Sequence, residues 1–455
     1  MEKVIWALLF SAIALEIAAQ PGKPNIILIV ADDLGYGDIA FEEADRNYTP
    51  SLARLASEGM RFTDFHSNGP VCSPTRTALM TGRYQQRSGV ESALGPDERG
   101  LPPSEITIAE YLKKSGYATA VYGKWHLGVI PEANPVRNGF DEFRGHLNSV
   151  DYNSHIGPWG NPDWWVDGKL QNEEGYNSDL ITAHTIRFIK EHRDEPFFIY
   201  VPFSNIHFPW CTPEDPQFWF EGINYYKSIE TKLGPHSPHE DVSPVVRRMV
   251  NELDESIGKI VSEIKKNGLA ENTLIIFTSD NGGYVNYQGR HANQISDNGP
   301  LRGQKSDVYE GGTRVQTIAW WPGKIQAGSV TDEIGLSMDL LPTFLSFAGQ
   351  DPGSIAPRHK SDGLSLRKVL LENASLSRRM VFWRLNSKCA VRDGSWKLVF
   401  NKVKGDPELY NLAEDIGEQN NLAAKNPLTV DRMMKAFKTW EKDVERSHEL
   451  IKQTE

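Results

Sequence analysis

The feature that most constrains this fold is the run NIILIV at residues 25–30, followed through Ala31 by the pair Asp32 and Asp33. Uninterrupted apolarity over so few residues marks a strand buried on both faces, as in a parallel sheet covered by helices, whereas a half-exposed strand would alternate. Both carboxylates therefore fall at the strand's carboxyl end. Further strands are expected at 117–122, 196–201 and 274–278, the last running directly into Ser279, Asp280, Asn281 and Gly282. Helical stretches separate them; one is expected to be capped by Thr49, with Pro50 in its first turn, and to run through Glu58. Strands alternating with helices imply an α/β fold with a mostly parallel central sheet flanked by helices. In such sheets ligands bind beyond the carboxyl ends of the strands, so topology brings two acidic clusters distant in sequence to one place.

At 455 residues the chain exceeds what one core usually supports. The texture changes after Gly349: short β-like runs at 380–383, 390–392 and 396–400 are followed by an amphipathic helix at 430–445. This predicts a large α/β domain over 21–350 and a smaller C-terminal α+β subdomain over 351–455, an antiparallel sheet with a covering helix. Residues 1–20 read as a secretory signal peptide, with Lys3, an apolar run at 4–15 and the small residues Ala18 and Ala19. The run is interrupted by Glu16 and falls short of the ~20 residues that span a bilayer. A secreted or periplasmic protein without stable membrane insertion is expected. Cys72, Cys211 and Cys389 are too few for a disulfide framework; the last two either pair or are buried free thiols.

Against that background CSPTRTALMTGR at 72–83 stands out. On its own it also reads as a buried cysteine beside a turn. It is accompanied by VADDLGYGD at 30–38, GYATAVYGKWHLG at 116–128, FTSDNGG at 277–283 and NGPLRGQKSDVYEGGTRV at 298–315. Singly, an Asp-Asp after a strand or a Ser-Asp-Asn-Gly is ordinary turn chemistry. Together and in this order, over most of 24–345, they resemble the type I, formylglycine-dependent sulfatases, arylsulfatase-like members of the alkaline phosphatase-like superfamily. In that family's signature a cysteine, a proline two residues on and an arginine four residues on direct oxidation of the cysteine to formylglycine. Thr75 stands here where the family has serine, and Met80 where leucine is common. AVRDGSWKLV and ELYNL resemble the family's small C-terminal domain.

The resemblance implies an enzyme, a sulfuric ester hydrolase. Its catalytic residues would be Cys72, Arg76, Lys124, His126, Lys305 and, in NIHFP, His207. Its metal ligands would be Asp32, Asp33, Asp280 and Asn281, with the formylglycine (3-oxoalanine) oxygen at Cys72. It also implies a maturation enzyme that acts on Cys72. Those ligands offer only oxygen, which selects a hard cation and argues against zinc. With sulfate and formylglycine added, roughly six or more oxygens suit calcium better than magnesium. In the implied reaction the aldehyde hydrates to a geminal diol and one hydroxyl attacks sulfur. His207 or Lys305 protonates the departing alcohol, and His126 takes the second hydroxyl's proton as sulfate leaves. The net charge of −11 excludes a nucleic-acid partner, so an anionic substrate requires a local positive pocket. Arg76, Lys124, Lys305, His126, His207 and the cation would supply it.

Two other functions compete: a phosphonate or phosphate monoester hydrolase of the same superfamily, and a non-catalytic protein that binds sulfated glycans. Retention of the cysteine and of every ligand disfavours the second, and the combination of Lys124, His126 and Lys305 disfavours the first. The secretory signal and the aromatic-rich segment 159–226 point to a sulfated carbohydrate as substrate. Ser154 and His155, in VDYNSH, lie where relatives have a polar substrate contact. His146, His184, His236, His239 and His291 are expected to be packed or solvated, and Asp339 and Pro342 to be structural. Asn47 and Asn373 head Asn-x-Ser/Thr triplets.

Overall fold

In the computed structural model every residue of the first strand, β1 (Asn25–Ala31), is buried, and its side chains feed two separate layers. Ile27 and Ile29 pack with Leu52, Leu55, Ile181, Phe188, Leu253, Ile257 and Ile260 on one side of the sheet. Ile26, Leu28 and Val30 pack with Leu79, Ile108, Leu112, Leu341 and Phe344 on the other. Two buried faces explain why the run never alternates. The structure describes residues 22–41, 49–227, 236–287, 289–350 and 359–453; the expected signal peptide, Asn47 and residues 351–358 of the expected domain boundary lie outside them.

The remaining strands of the large sheet are β2 (Met60–His66), β3 (Ala118–Lys124), β4 (Glu142–His146), β5 (Trp165–Val166), β6 (Lys169–Leu170), β7 (Phe197–Pro202), β8 (Thr273–Ser279), β9 (Arg314–Trp320), β10 (Ser329–Thr331) and β11 (Gly335–Leu336). They are ordered β10-β2-β9-β8-β1-β7-β3-β4-β5-β6, with β11 beside β2. The central block β8-β1-β7-β3-β4 is parallel throughout. Antiparallel pairs occur only outside it, around β9 and at β4-β5-β6.

The helices are α1 (Pro50–Glu58), α2 (Cys72–Thr81), α3 (Ile108–Lys114), α4 (Asn177–Glu191), α5 (Ser243–Lys266), α6 (Glu310–Thr313), α7 (Leu340–Phe347), α8 (Arg367–Glu372) and α9 (Pro427–Lys452). Thr49 precedes α1 as expected but does not cap it. Its hydroxyl bonds instead to the backbone of Ala40, and the Asp254 carboxylate of α5 accepts Ser51 N at 2.9 Å and Leu52 N at 2.8 Å. A full negative charge at the first turn satisfies two amides and meets the helix dipole, which a hydroxyl cannot match.

A second, antiparallel sheet holds β12 (Met380–Leu385), β13 (Lys388–Asp393), β14 (Trp396–Asn401) and β15 (Glu408–Asn411) in that order. Helix α9 covers it with Val430, Met433, Phe437, Trp440 and Val444, a stripe at helical spacing. The same core takes in Leu336 of β11 together with Ala78, Tyr84 and Met338, so the large domain shares apolar contacts with the small sheet.

Buried charges also cross this seam. Lys397 meets Glu310 at 2.8 Å and Arg392 meets Asp64 at 2.7 Å, while Glu418 backs Lys397 at 3.1 Å on one side and Arg314 backs Glu310 at 3.0 Å on the other. Burial pushes the Asp64 carboxyl up, but His66, Arg392 and Arg314 outweigh it and hold it at about 2. Asp339 is structural as expected, accepting Leu336 N, Leu364 N and the Arg379 guanidinium. Cys211 and Cys389 are buried free thiols in different cores, so the pairing left open by the sequence does not form. No helix among the described residues is long and apolar enough to cross a membrane.

Candidate functional site

Strands β1 and β8 are neighbours in register, Ala31 opposite Ser279, so their exits lie side by side. Asp280 N donates to Ala31 O at 3.1 Å and Leu34 N to Ser279 Oγ at 3.2 Å, stitching the two exits together. Asp33 takes a left-handed backbone, φ 64°, that turns the chain sharply after Asp32. The result is a fully desolvated group of Asp32, Asp33, Asp280 and Asn281 at the strand ends. The third contributor is β7, the other neighbour of β1. Asn205, beyond its end, accepts Asp32 N at 2.8 Å, and Ile206 N donates to Asp32 O, which brings His207 within 3.9 Å of Asp33 Oδ2.

Positive charge enters from three elements. Lys124 ends β3 and places Nζ 2.6 Å from Asp32 Oδ2, while Lys305 places Nζ 2.6 Å from Asp33 Oδ1. Arg76, one turn into α2, grips Asp280 Oδ2 through Nε at 3.0 Å and Nη2 at 2.8 Å. Its Nη1 donates to Lys124 O at 2.6 Å and to the Tyr200 hydroxyl at 3.4 Å. All three guanidinium nitrogens are thus engaged with the protein itself, which makes Arg76 a bracket between two strand ends. Cys72 opens the same helix, is 1% exposed, and lies within electrostatic reach of Arg76, Asp280 and Lys305. The hydroxyl of Thr75 bonds to both Gly69 N and Gly69 O, at 3.0 and 2.7 Å. It fixes the turn that leads into Cys72, a task any hydroxyl side chain at this position can perform.

The three carboxylates titrate unequally, because each is buried and they repel one another. Burial pushes Asp32 up, but Lys124, His207, Arg76 and Lys305 together hold it well below the carboxylate range. Burial raises Asp33, against Lys305, with repulsion from Asp32 adding to the rise. Asp280 is pushed well up by burial and by Asp32, against the pull of Arg76. Asp32 Oδ1 and Asn281 Oδ1 are buried acceptors with no hydrogen-bond partner, in a group that offers oxygen ligands on three carboxylates and an amide. Orphaned oxygens and unrelieved carboxylate repulsion are what a hard divalent cation would correct, so the donor set fits such an ion.

Both histidines are held neutral by burial reinforced by Lys124. His126 Nε2 donates to Leu94 O at 3.0 Å, which leaves Nδ1 as a buried acceptor without a partner. Leu94 N in turn donates to Ser73 Oγ at 3.1 Å, so one loop position links His126 to α2. His207 Nδ1 donates to Phe208 O at 2.8 Å, and its Nε2 is the atom near Asp33.

Every residue singled out at 32, 33, 72, 76, 124, 126, 207, 280, 281 and 305 therefore falls in one place. Ser154 and His155 do not join it: Ser154 Oγ donates to Trp219 O, and His155 stacks on Trp164 at 4.3 Å. His184 pairs with Glu173, His239 with Asp215, and His236 packs against Phe208 and Tyr287. His146 is closer to the site than its sequence context suggests. It pairs with Lys124 across β3 and β4, donates to or accepts from Ser204 Oγ at 2.8 Å, and is held at about 3 by burial, with Lys124 among the causes. Tyr200, Tyr226 and Tyr284 also border the charged group. None of these four carries a motif; the only signal available was that His146, like Lys124, closes a parallel strand.

The chain is similar to known proteins over most of its length. The family model described as Sulfatase matches residues 24–350. The N-acetylgalactosamine-6-sulfatase of Mus musculus is 36% identical over 418 residues, covering 86% of this chain and 74% of the relative. Human arylsulfatase A is 33% identical over 458 residues, covering 88% of this chain and 83% of the relative. Among solved structures, Ps i-CgsB in complex with k-i-k-neocarrahexaose superposes with a TM-score of 0.78 at 28% identity, covering 92% of each chain.

Proposed function

This chain belongs to the sulfatase family and is a sulfuric ester hydrolase, and from that we propose that it removes sulfate from a sulfated carbohydrate outside the cytoplasm, using formylglycine made from Cys72 and a calcium ion. The observation that supports this most directly is the meeting, near Cys72, of an oxygen-only cage with partnerless acceptors at two strand ends and three basic side chains. The carbohydrate reading draws on relatives whose names specify N-acetylgalactosamine 6-sulfate and a neocarrahexaose ligand. The location rests on the signal-like sequence at 1–20.

Asp32, Asp33, Asp280 and Asn281 would hold the cation, whose charge would draw electron density from the sulfate oxygens. Formylglycine at residue 72 would supply the attacking hydroxyl. The other parts of the reaction belong to groups in place. Lys124 Nζ and Lys305 Nζ, poised on Asp32 and Asp33, are positioned to turn toward a bound sulfate. They form a fixed positive clamp in a water-poor site, where such charges act most strongly. Arg76 holds Asp280 and the end of β3 in register. His126 Nδ1 is the free basic atom and takes the proton released at residue 72. The departing sugar oxygen is protonated from Lys305 Nζ, or from His207 Nε2 where the bound anionic ester holds that imidazole protonated.

Release of sulfate from sulfated oligosaccharides by the matured chain is the expected result; faster cleavage of an aryl phosphonate than of any sulfate ester would overturn the reading. The cation makes a separate prediction. Chelation should abolish turnover and lower the melting temperature, and added calcium should restore both, because a ligand that binds only the folded state stabilises it. Asp280→Ala should lose that calcium response and be destabilised by roughly 3–5 kcal/mol, since it leaves Arg76 buried without its partner. A melting temperature indifferent to chelation would rule out the assigned ligands.

A further inference from the structure

The charged cage explains how a sulfate is held but not what the attached sugar meets. The segment 209–227 folds back over 157–161: Gly222 N donates to Gly160 O at 2.7 Å, and Tyr225 N donates to Pro158 O at 2.9 Å. Gly160 adopts φ 82°, and a Cβ there would stand 2.5 Å from Ile223 N, so only glycine allows this approach. The contact sets Tyr226 against Trp159, ring centroids 5.5 Å apart. Tyr226 remains 41% exposed, yet its phenol end lies within electrostatic reach of Lys305, Tyr284 and Cys72. Tyr284 in turn lies under the Lys305 ammonium, 5.1 Å from ring centroid to Nζ. An uncharged aromatic surface thus runs from the reacting centre to solvent.

Beside Trp159 is a cavity of about 100 Å³ lined by Asn148, Ser149, Asn161 and Asp163. Asn148 Oδ1 accepts Ser149 N, while its Nδ2 is buried and has no hydrogen-bond partner. A buried donor without a partner costs free energy unless a ligand acceptor meets it. An aromatic face next to an unpaired amide donor matches a pyranose ring, which offers C–H faces to the one and hydroxyl oxygens to the other.

We propose that Trp159 and Tyr226 form the wall against which the sugar carrying the scissile sulfate packs, with Asn148 Nδ2 donating to one of its hydroxyls. This rests on the sulfated-carbohydrate reading above and adds the residues that select the sugar. The test is steady-state kinetics of the matured full-length enzyme on whichever of N-acetylgalactosamine 6-sulfate and a sulfated neocarrabiose the wild type hydrolyses faster, with inorganic sulfate as competitive inhibitor. Trp159→Ala and Tyr226→Ala should each raise KM by about tenfold, the loss expected from removing one ring's contact area. Tyr226→Phe, which keeps the ring, should recover most of the KM lost in Tyr226→Ala, and the inhibition constant of inorganic sulfate should not move in either alanine variant. An unchanged KM in both alanine variants would overturn the wall, as would a sulfate constant that rose in step with KM, since that would mean a damaged clamp. Failure of the wild type to release sulfate from any sulfated oligosaccharide would overturn the functional reading and the wall together, whereas an unchanged KM overturns the wall alone.

Discussion

Cys72→Ala should reduce sulfate release by four or more orders of magnitude, the scale seen when a covalent nucleophile is removed from a preorganised site. The fold should survive. Cys72 opens α2 and is 1% exposed, so alanine removes a single heavy atom from the side chain, thiol or aldehyde, worth about 1 kcal/mol. No hydrogen bond of the cage passes through this side chain: Arg76 still brackets Asp280 and β3, and Lys124 and Lys305 still face Asp32 and Asp33. The variant should therefore still bind sulfated ligand and calcium, the cation with one oxygen ligand fewer, while turning nothing over. Turnover at the wild-type rate would remove residue 72 from the chemistry altogether. The same preparation of wild-type protein, read by peptide mass spectrometry, should show the mass of the aldehyde in place of the thiol.

The second large effect concerns stability. Glu310, fully buried at the start of α6, meets Lys397 at 2.8 Å, Arg314 at 3.0 Å and Arg392 at 3.5 Å. Glu310→Ala would leave this basic cluster with only Asp64 and Glu418 as partners. Removing one member of a buried ionic group strands the others, at a cost of roughly 3–5 kcal/mol. A melting temperature lowered by several degrees, with earlier proteolysis of the β12–β15 sheet, is the expected outcome; an unshifted curve would show that the seam's charges contribute nothing net. The effect should depend on pH in a defined direction. Burial pushes Glu310 up, but Lys397, His66, Arg392 and Arg314 hold it well below its ordinary value of 4.5. A carboxyl depressed in the folded state stabilises it above the unfolded value, and that contribution fades as the pH falls. The gap between wild type and variant should be full above pH 4.5 and shrink on acidification.

The cage was legible in the sequence because it obeys a topological rule. Asp32 and Asp280 each follow an unbroken apolar run, and parallel strands bring their ends together regardless of distance along the chain. Lys124, implied by the resemblance alone, proves to end β3 and so obeys the same rule. What escaped were contacts that depend on side-chain reach across elements. Asp254 caps α1 from α5 although Thr49 stands in the expected position, because a carboxylate from a packed neighbour satisfies two amides at once. The Glu310 network escaped as well: its members lie on four separate segments, and each alone reads as a solvated charge. Ser154 and His155 were drawn toward the site by their sequence context, but local packing on Trp164 and Trp219 directs them elsewhere.

The pairing of β1 with β8 also sets a timetable. Residue 72 leaves the ribosome long before Ser279 exists to lie beside Ala31, and at about 5–20 residues per second the interval is roughly ten to forty seconds. Until β8 arrives the central sheet lacks a strand and Arg76 has no Asp280 to grip; afterwards the thiol at residue 72 is shut away. Any outside agent that alters this thiol must act before β8 docks and the chain folds over it.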